Sequence, residues 1–129
     1  MPKRKTPRPT DTELQILRVL WRRGPSTVRE VHEALAATHP TVYTTVLKLM
    51  QIMAEKGLVR RNEEQRAHVY EARLAREETQ AQLLGDLLDR AFEGSATSLV
   101  MQVLSSKRAS AEELEQIRAV LDELEGGER

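Results

Sequence analysis

The stretch that decides the fold runs from Pro40 to Ala72, "PTVYTTVLKLMQIMAEKGLVRRNEEQRAHVYEA". Its first part has apolar residues at helical spacing, which predicts a helix from about Thr41 to Lys56 that ends at Gly57. The period then changes to two short β-prone runs, "LVRR" and "HVYEA", on either side of the polar turn "NEEQRA". The sequence therefore predicts a helix that is followed directly by a two-stranded hairpin.

Two more helices are predicted ahead of this stretch, and each is opened by a capping box. In "TDTE" Thr10 caps the first helix while Glu13 reaches back, and "TVRE" repeats the arrangement with Thr27 and Glu30. "RRGPS" ends the first helix and "THP" ends the second. Three helices followed by strand, turn and strand are the layout of a winged helix-turn-helix domain. The apolar faces of these two helices are predicted to consist of Leu14, Leu17, Leu20 and Trp21, and of Val28, Val31 and Leu35.

From Arg76 onward the chain is predicted to be helical again. "EGS" separates a fourth helix from a short fifth one, and Ser110 with Glu113 forms a capping box for a sixth. We therefore expect a mainly α fold with a small β wing. We divide the chain into a basic flexible arm, residues 1–9, a winged helix-turn-helix domain, residues 10–74, and a helical domain, residues 75–129.

The composition limits the class of protein. The 129 residues include no cysteine, which excludes disulfides, thiolate metal sites and a thiol nucleophile. No stretch approaches the ~18 apolar residues of a membrane span. The N-terminus also lacks the apolar stretch of a secretory signal peptide. We expect a soluble cytoplasmic protein without membrane insertion.

The formal net charge of zero hides an uneven distribution of charge. Residues 1–75 hold 14 Lys and Arg against 8 Asp and Glu, whereas residues 76–129 hold 6 against 12. A basic half suits a polyanion and an acidic half avoids one, so the two parts are expected to have different partners. The N-terminal arm, with Lys3, Arg4 and Lys5, is either a solvated tail or a basic arm that lies along nucleic acid.

The third helix is predicted to have a core face and a hydroxyl-rich face. Threonine is a poor helix former, and a helix that only needed solubility would use Glu, Lys or Gln in its exposed first turns. Short hydroxyl side chains instead let a helix approach the DNA major groove closely and bond to base edges or phosphates. The alternative is that Thr41 only caps the helix, which leaves Thr44 and Thr45 unexplained. The predicted core residues are Val42, Val46, Leu49, Met50 and Met53, and the predicted groove-reading residues are Thr41, Tyr43, Thr44, Thr45 and Lys48.

Three arginines flank or occupy the predicted hairpin turn, namely Arg60, Arg61 and Arg66. We expect them to contact DNA phosphates or the minor groove, a kind of contact that positions a protein without reading sequence. The alternative is the ordinary solvated charge of a β-strand. Arg66, which lies at the turn, is the strongest candidate of the three.

The acidic helical segment is too small to be stable alone, because about 50 residues in three short helices bury too little surface. Its apolar stripes must pack on the first domain or on a second copy of the chain. A two-fold dimer also sets two recognition helices about one DNA turn, or a multiple of it, apart. Packing within a monomer is the alternative. The residues predicted to form the dimer interface are Leu84, Leu87, Leu88, Phe92, Leu99, Val103, Ile117 and Leu121.

No motif for catalysis or metal binding is found. "VHEAL" differs from the zinc motif HExxH because residue 36 is Ala rather than His. His32, His39 and His68 lack acidic partners at ligand spacing. Neither a glycine-rich phosphate loop nor a nucleophile elbow is present. We expect a protein that is not an enzyme and needs no cofactor or metal.

Six stretches together carry a resemblance to a known family. "TELQILRVLW", "STVREVHEAL", "TVYTTVLKLMQIMAEKGLVRR" and "RAHVYEA", with "SLVMQVLS" and "EELEQIRAVLDELE" in the tail, are similar to the penicillinase-repressor family of the BlaI and MecI type. The similarity covers residues 10–125. It implies a dimeric repressor that binds inverted-repeat DNA operators and controls β-lactam resistance or related stress genes.

The resemblance also implies derepression by proteolysis. In the family, a membrane sensor linked to a protease inactivates the repressor by a cut inside the dimerisation domain. The matching position here lies near Gln102 and Val103, where the well-known members have Asn-Phe. Tyr43 stands where those members carry Arg before the matching Thr44, so the operator sequence need not be the same. Copper-responsive relatives use a C-terminal cysteine cluster, which this chain lacks.

Two other functions remain open. A winged helix also serves as a scaffold subunit in protein complexes, but the polar face of the third helix and the basic first half argue against that role. A ligand-sensing repressor of the PadR kind is the second alternative. The helical tail has Phe92 as its only aromatic residue, which argues against an aromatic-lined ligand pocket.

Overall fold

The structure is a computed structural model that describes residues 8–106 and 109–127. The predicted contact of the N-terminal arm with nucleic acid falls mostly on residues 1–7, outside the described residues. The predicted fold class is confirmed, since the chain is mainly helical with one small sheet. The elements are α1 (Asp11–Arg23), β1 (Ser26–Thr27), α2 (Val28–Ala36), α3 (Tyr43–Lys56), β2 (Val59–Asn62), β3 (Val69–Ala72), α4 (Arg76–Ala91), α5 (Ala96–Ser105) and α6 (Ala111–Gly127).

The described part of the chain forms two compact units that divide between Leu83 and Leu84, within α4. The predicted division into an arm and two domains stays a prediction. None of the helices in the described ranges is both long enough and apolar enough to span a membrane.

The caps of the first two helices follow the sequence signals. The Glu13 amide donates to Thr10 Oγ1 at 3.2 Å, and the Thr10 amide donates to Glu13 Oε1 at 2.9 Å. Thr27 and Glu30 repeat this arrangement at 3.2 and 2.9 Å. Each capping box satisfies two amides that the helix itself leaves without acceptors, so both predicted helix starts are confirmed.

The sheet contains a strand that the sequence did not predict. The strand order is β1-β3-β2, with both pairs antiparallel, and Ser26 and Thr27 pair with Tyr70 and Val69. Thr27 is also the N-cap of α2, and its backbone is extended (φ −81°, ψ 166°). Because an N-cap residue has a β-type backbone, the same residue can bond to a strand before it starts a helix. A strand of only two residues is too short to show the alternation of apolar and polar residues by which strands are recognised, and here one of the two residues is also part of a helix cap.

The core of the first unit is built from α1, α2, α3 and the sheet. The predicted buried face of α2, Val28, Val31 and Leu35, is confirmed. In α1 the prediction was partly wrong, because Ile16 and Val19 are buried while Leu14 and Trp21 are only partly buried. The reason is that α1 packs against α2, α3 and β3, so its buried sector is wider than one stripe.

The second unit contains the end of α4 together with α5 and α6. Ser95 caps α5 by accepting a bond from the Ser98 amide at 3.1 Å. The predicted box of Ser110 and Glu113 opens α6, with bonds of 2.9 and 3.1 Å. Yet α5 and α6 contain no buried residue. These helices are well capped but leave their apolar stripes exposed within a single chain.

Candidate nucleic-acid interface

The third helix begins two residues later than the sequence suggested. Its N-cap is Val42, with an extended backbone (φ −67°, ψ 152°) and no capping hydrogen bond from a side chain. Thr41 does not cap the helix; its hydroxyl donates to the His39 carbonyl at 2.9 Å. The prediction that Val42 is a core residue was also wrong, since its side chain is 65% exposed. A helical wheel does not apply before the first helical residue, and Val42 lies outside the helix.

Within the helix proper, the predicted division into two faces is confirmed. Val46, Met50 and Met53 are fully buried, and Leu49 is partly buried against the same core. The exposed side carries the residues Tyr43, Thr44, Thr45, Lys48, Gln51 and Glu55. Methionine and valine thus anchor one side of α3. The other side presents hydroxyl groups, one phenol ring and one ammonium group in its first half, and the Gln51 amide and Glu55 carboxylate further along.

The start of α3 is suited to an anion. No side chain caps it, so the first amides keep their capacity to donate to an outside group, except the Thr45 amide, which donates to the Val42 carbonyl at 3.1 Å. The helix dipole adds a partial positive charge at the same place. A phosphate or another anionic group is the partner that such a helix end favours.

The wing connects β2 to β3 through residues 63–68. Asn62 shapes the turn, because its Oδ1 accepts a bond from the Glu64 amide at 2.9 Å. Arg66 and His68 are exposed in this turn. Arg66, like Lys48 on α3, forms no ion pair with another described residue. Both cations are therefore available to an outside partner.

The other two wing arginines already have partners inside the chain. Arg60 lies opposite Glu71 in the sheet, with Nη1 3.6 Å from Oε2. The Arg61 guanidinium lies 2.7 Å from the Glu63 carboxylate. A hydrogen bond to the Tyr70 hydroxyl, with the negative charge of Glu63, raises the pKa of Arg61. These pairings mean that a phosphate must compete with carboxylates for both side chains.

The structure brings the base of the wing next to α3. Arg61 of β2 lines one surface depression together with Gln51, Ala54 and Glu55 of α3. The predicted wing and the predicted recognition helix are therefore neighbours at this point.

Sequence reasoning missed one contact at the other end of α3. The ring of His32, on α2, lies 5.7 Å from the ring of Tyr43, centroid to centroid, at an interplanar angle of 82°. From the sequence, His32 was considered only as a metal ligand, and no acidic partners were found for it at ligand spacing. No spacing rule links it to Tyr43, because the crossing of α2 and α3 brings the two rings together.

The residues predicted to form a dimer interface lie on the exposed or half-buried surface of α4, α5 and α6. Leu84, Leu87, Val103, Ile117 and Leu121 are exposed, and Leu88, Phe92 and Leu99 are half-buried. Gln102 and Val103, the candidate cleavage position, are both exposed on α5. In residues 8–106 and 109–127, no three His, Asp or Glu side chains are grouped as a metal site would need.

Comparison with known proteins gives one family and several relatives. The sequence profile of the family described as Penicillinase repressor matches residues 9–123. A transcriptional regulator BlaI of Mycobacterium tuberculosis is 40% identical over 118 residues, which cover 91% of this chain and 85% of that protein. The penicillinase repressor of Bacillus licheniformis is 24% identical over 120 residues, which cover 93% and 94%.

Two solved structures share the fold of the first unit. The solution structure of the DNA-binding domain of the repressor BlaI matches with a TM-score of 0.51 at 24% identity, covering 59% of this chain and 93% of that one. The monomeric form of Bacillus licheniformis BlaI in complex with the blaP half-operator matches with a TM-score of 0.50 at 24% identity, covering 57% and 90%. At this level of identity the likeness supports the winged helix-turn-helix fold alone.

Proposed function

The chain belongs to the penicillinase repressor family, and from that membership we propose that it is a transcriptional repressor that binds an inverted-repeat DNA operator as a homodimer. The observation that carries the proposal is the exposed, uncapped start of α3, with Tyr43, Thr44 and Thr45 side by side. It is supported by a relative whose solved structure contains a half-operator. The protein acts in the cytoplasm and performs no catalysis of its own.

The start of α3 enters the major groove. Thr44 and Thr45 have side chains short enough to let the helix axis approach the base pairs closely, and each offers one hydroxyl and one methyl group. Tyr43 and Lys48 reach further, to a base edge or to the neighbouring phosphates. The buried side chains of Val46, Met50 and Met53 hold the helix rigidly while its other face meets DNA.

The wing contacts the DNA backbone. Arg66 is exposed and has no carboxylate partner among the described residues, so it can bind a phosphate without losing an internal contact. Arg60 and Arg61 can bind a phosphate only after leaving Glu71 and Glu63. The wing therefore supplies one arginine without a carboxylate partner among the described residues and two arginines that are paired with carboxylates.

A second copy of the chain covers the apolar stripes of the second unit. Exposed Leu84, Leu87, Ile117 and Leu121 would otherwise remain in water. Burial of such side chains contributes about 25 cal/mol per Å² of apolar surface, which is the driving force for association. The acidic character of residues 76–129 keeps this unit away from the DNA phosphates. Two copies then present two recognition helices to the two half-sites of an operator.

Derepression follows from a cut in the dimerisation unit. Gln102 and Val103 are exposed in a single chain, but Val103 belongs to the proposed dimer interface, and both residues lie inside α5, where the backbone is helical. A protease binds an extended segment, so α5 has to unwind locally before cleavage. With no buried residue to hold it in a single chain, α5 unwinds more readily than α1 or α3 would.

Footprinting on the promoter of the protein's own gene tests the proposal. A repressor protects two symmetric half-sites, and its affinity falls steeply with added salt, as expected for ~6–10 phosphate contacts per dimer. A random duplex of the same length is the control and is bound more weakly. Equal, salt-insensitive binding of both duplexes would contradict the proposal, and no binding to any duplex would favour a scaffold role.

A further inference from the structure

We propose that His32 is a positioning residue for base recognition: it fixes the ring of Tyr43, so that Tyr43 meets one base step of the operator in a defined orientation. The inference rests on the proposed function, because it gives the recognition helix a specificity determinant on the preceding helix. His32 itself need not touch DNA.

The geometry of the two rings is that of a favourable aromatic pair. His32 is half-buried on α2, and Tyr43 is the first residue of α3 with a side chain that is 44% exposed. The centroids are 5.7 Å apart and the planes meet at 82°. Aromatic rings prefer such an edge-to-face arrangement, because the positive edge of one ring then meets the negative face of the other.

Little else holds this end of the helix. Val42, the N-cap residue, is exposed and its side chain makes no capping hydrogen bond, and the first fully buried residue of α3 is Val46, almost one turn after Tyr43. Among the described residues, the Thr41 hydroxyl bonds only to the His39 carbonyl, two residues away in the chain. A tyrosine at such a position samples several rotamers in solution, and each lost rotamer costs entropy on binding. The contact with His32 restricts the ring before DNA arrives.

A ring that is ordered in advance improves both affinity and discrimination. The ordering entropy no longer has to be lost at the moment of binding. A phenol in one orientation also offers its hydroxyl and ring edge to one part of a base pair, whereas a mobile phenol adapts to several. The effect is therefore expected on the operator more than on random DNA, where phosphate contacts dominate.

A double-mutant cycle tests the coupling between the two rings. We expect His32→Ala and Tyr43→Ala each to weaken operator binding by about two- to tenfold, the range for one aromatic contact. The double variant should be scarcely weaker than Tyr43→Ala, because His32 acts only through that ring. His32→Phe keeps an aromatic edge and should restore most of the affinity. Selection from a random duplex library should show relaxed preference at one base step in His32→Ala.

His39→Ala is the matched control. His39 is likewise a histidine near the start of α3, but it is exposed and its ring nitrogen contacts only Thr38 in the described chain. Its removal should not couple to Tyr43→Ala, whatever it does to affinity. Thermal unfolding of each variant shows whether a loss of binding reflects a loss of folded protein, and His32→Phe carries the test if His32→Ala does not fold.

Three results would overturn the inference. Additive losses in the double variant would mean that His32 acts independently of Tyr43. A loss that is equal for operator and random duplex would mean that His32 contacts a phosphate itself. Failure of the unmodified protein to bind any duplex would remove the proposed function and this inference together, whereas normal binding with additive losses removes the inference alone.

Discussion

The Lys56 ammonium, at the end of α3, lies 2.8 and 3.0 Å from the two carboxylate oxygens of Glu13, in the first turn of α1. Glu13 is 2% exposed, and the same carboxylate accepts the Thr10 amide at 2.9 Å. One buried side chain thus caps α1 and ties down the C-terminal end of α3. The contact fixes the direction in which α3 points its exposed start.

Substitution of Lys56 and substitution of Glu13 should lower the free energy of unfolding by different amounts. Lys56→Met leaves a buried carboxylate without its cation, which costs about 3 kcal/mol when one partner of a buried pair is removed. Glu13→Gln keeps an acceptor for Thr10 and leaves behind a lysine that reaches water, so a loss of about 1 kcal/mol is expected. Urea unfolding measures both free energies. A larger loss for Glu13→Gln would contradict the argument.

Thr44→Ala should change which sequences are bound. Thr44 is exposed on the polar side of α3, which is proposed to face the major groove. Loss of its hydroxyl and methyl group should remove a contact to base edges worth about 1 kcal/mol, or roughly fivefold in affinity. The loss should concern the operator and leave random duplex unchanged. Competition binding with single-base operator variants measures this. A uniform loss over all sequences would place Thr44 on the backbone instead.

Arg66→Ala should weaken binding to every duplex by a similar factor. Arg66 lies exposed in the wing turn and is proposed to contact a phosphate, which carries no sequence information. The slope of log affinity against log salt should decrease by about one for each wing that is in contact. Titrations at several salt concentrations give the slope. An unchanged slope with altered sequence preference would show that Arg66 reads bases.

Glu63→Gln should strengthen binding to DNA of any sequence. It releases Arg61 from a carboxylate 2.7 Å away, so that a phosphate no longer competes with Glu63, and a gain of about two- to fivefold in affinity is expected. Glu64→Gln is the matched control, because it removes the same charge from the next residue, whose side chain pairs with no described cation. Equal gains from both changes would mean that the effect comes from net charge alone.

Leu121→Asp should convert the proposed dimer to a monomer. Leu121 is exposed on α6 in a single chain. The carboxylate of the introduced Asp would be buried in an apolar interface without a partner. The dimer dissociation constant should therefore rise by about 100-fold or more. Analytical ultracentrifugation measures the change. Gln116→Asp, on the same helix but outside the apolar stripe, is the control and should leave the dimer intact. Loss of helical circular dichroism in Leu121→Asp would point to unfolding of α6 instead.

The order of the six helices and of the two hairpin strands, together with most helix ends, was determined by the sequence alone. Capping boxes at Thr10, Thr27 and Ser110 involve residues three apart in the chain, so their physics is local and the structure confirms each of them. Gly57 likewise ends α3 with a left-handed backbone, φ 87°, where a side chain would be strained. The polar face of α3 follows from helical periodicity in the same way.

The features that depend on contacts between residues far apart in the sequence were decided only by the tertiary structure. It placed β1 beside β3, widened the buried sector of α1, exposed Val42 and brought His32 to Tyr43. It also paired Glu13 with Lys56, residues separated by 43 positions. Periodicity and capping describe a single helix with its neighbours in sequence. Neither pattern predicts how two helices pack across each other. That packing positions the exposed side of α3.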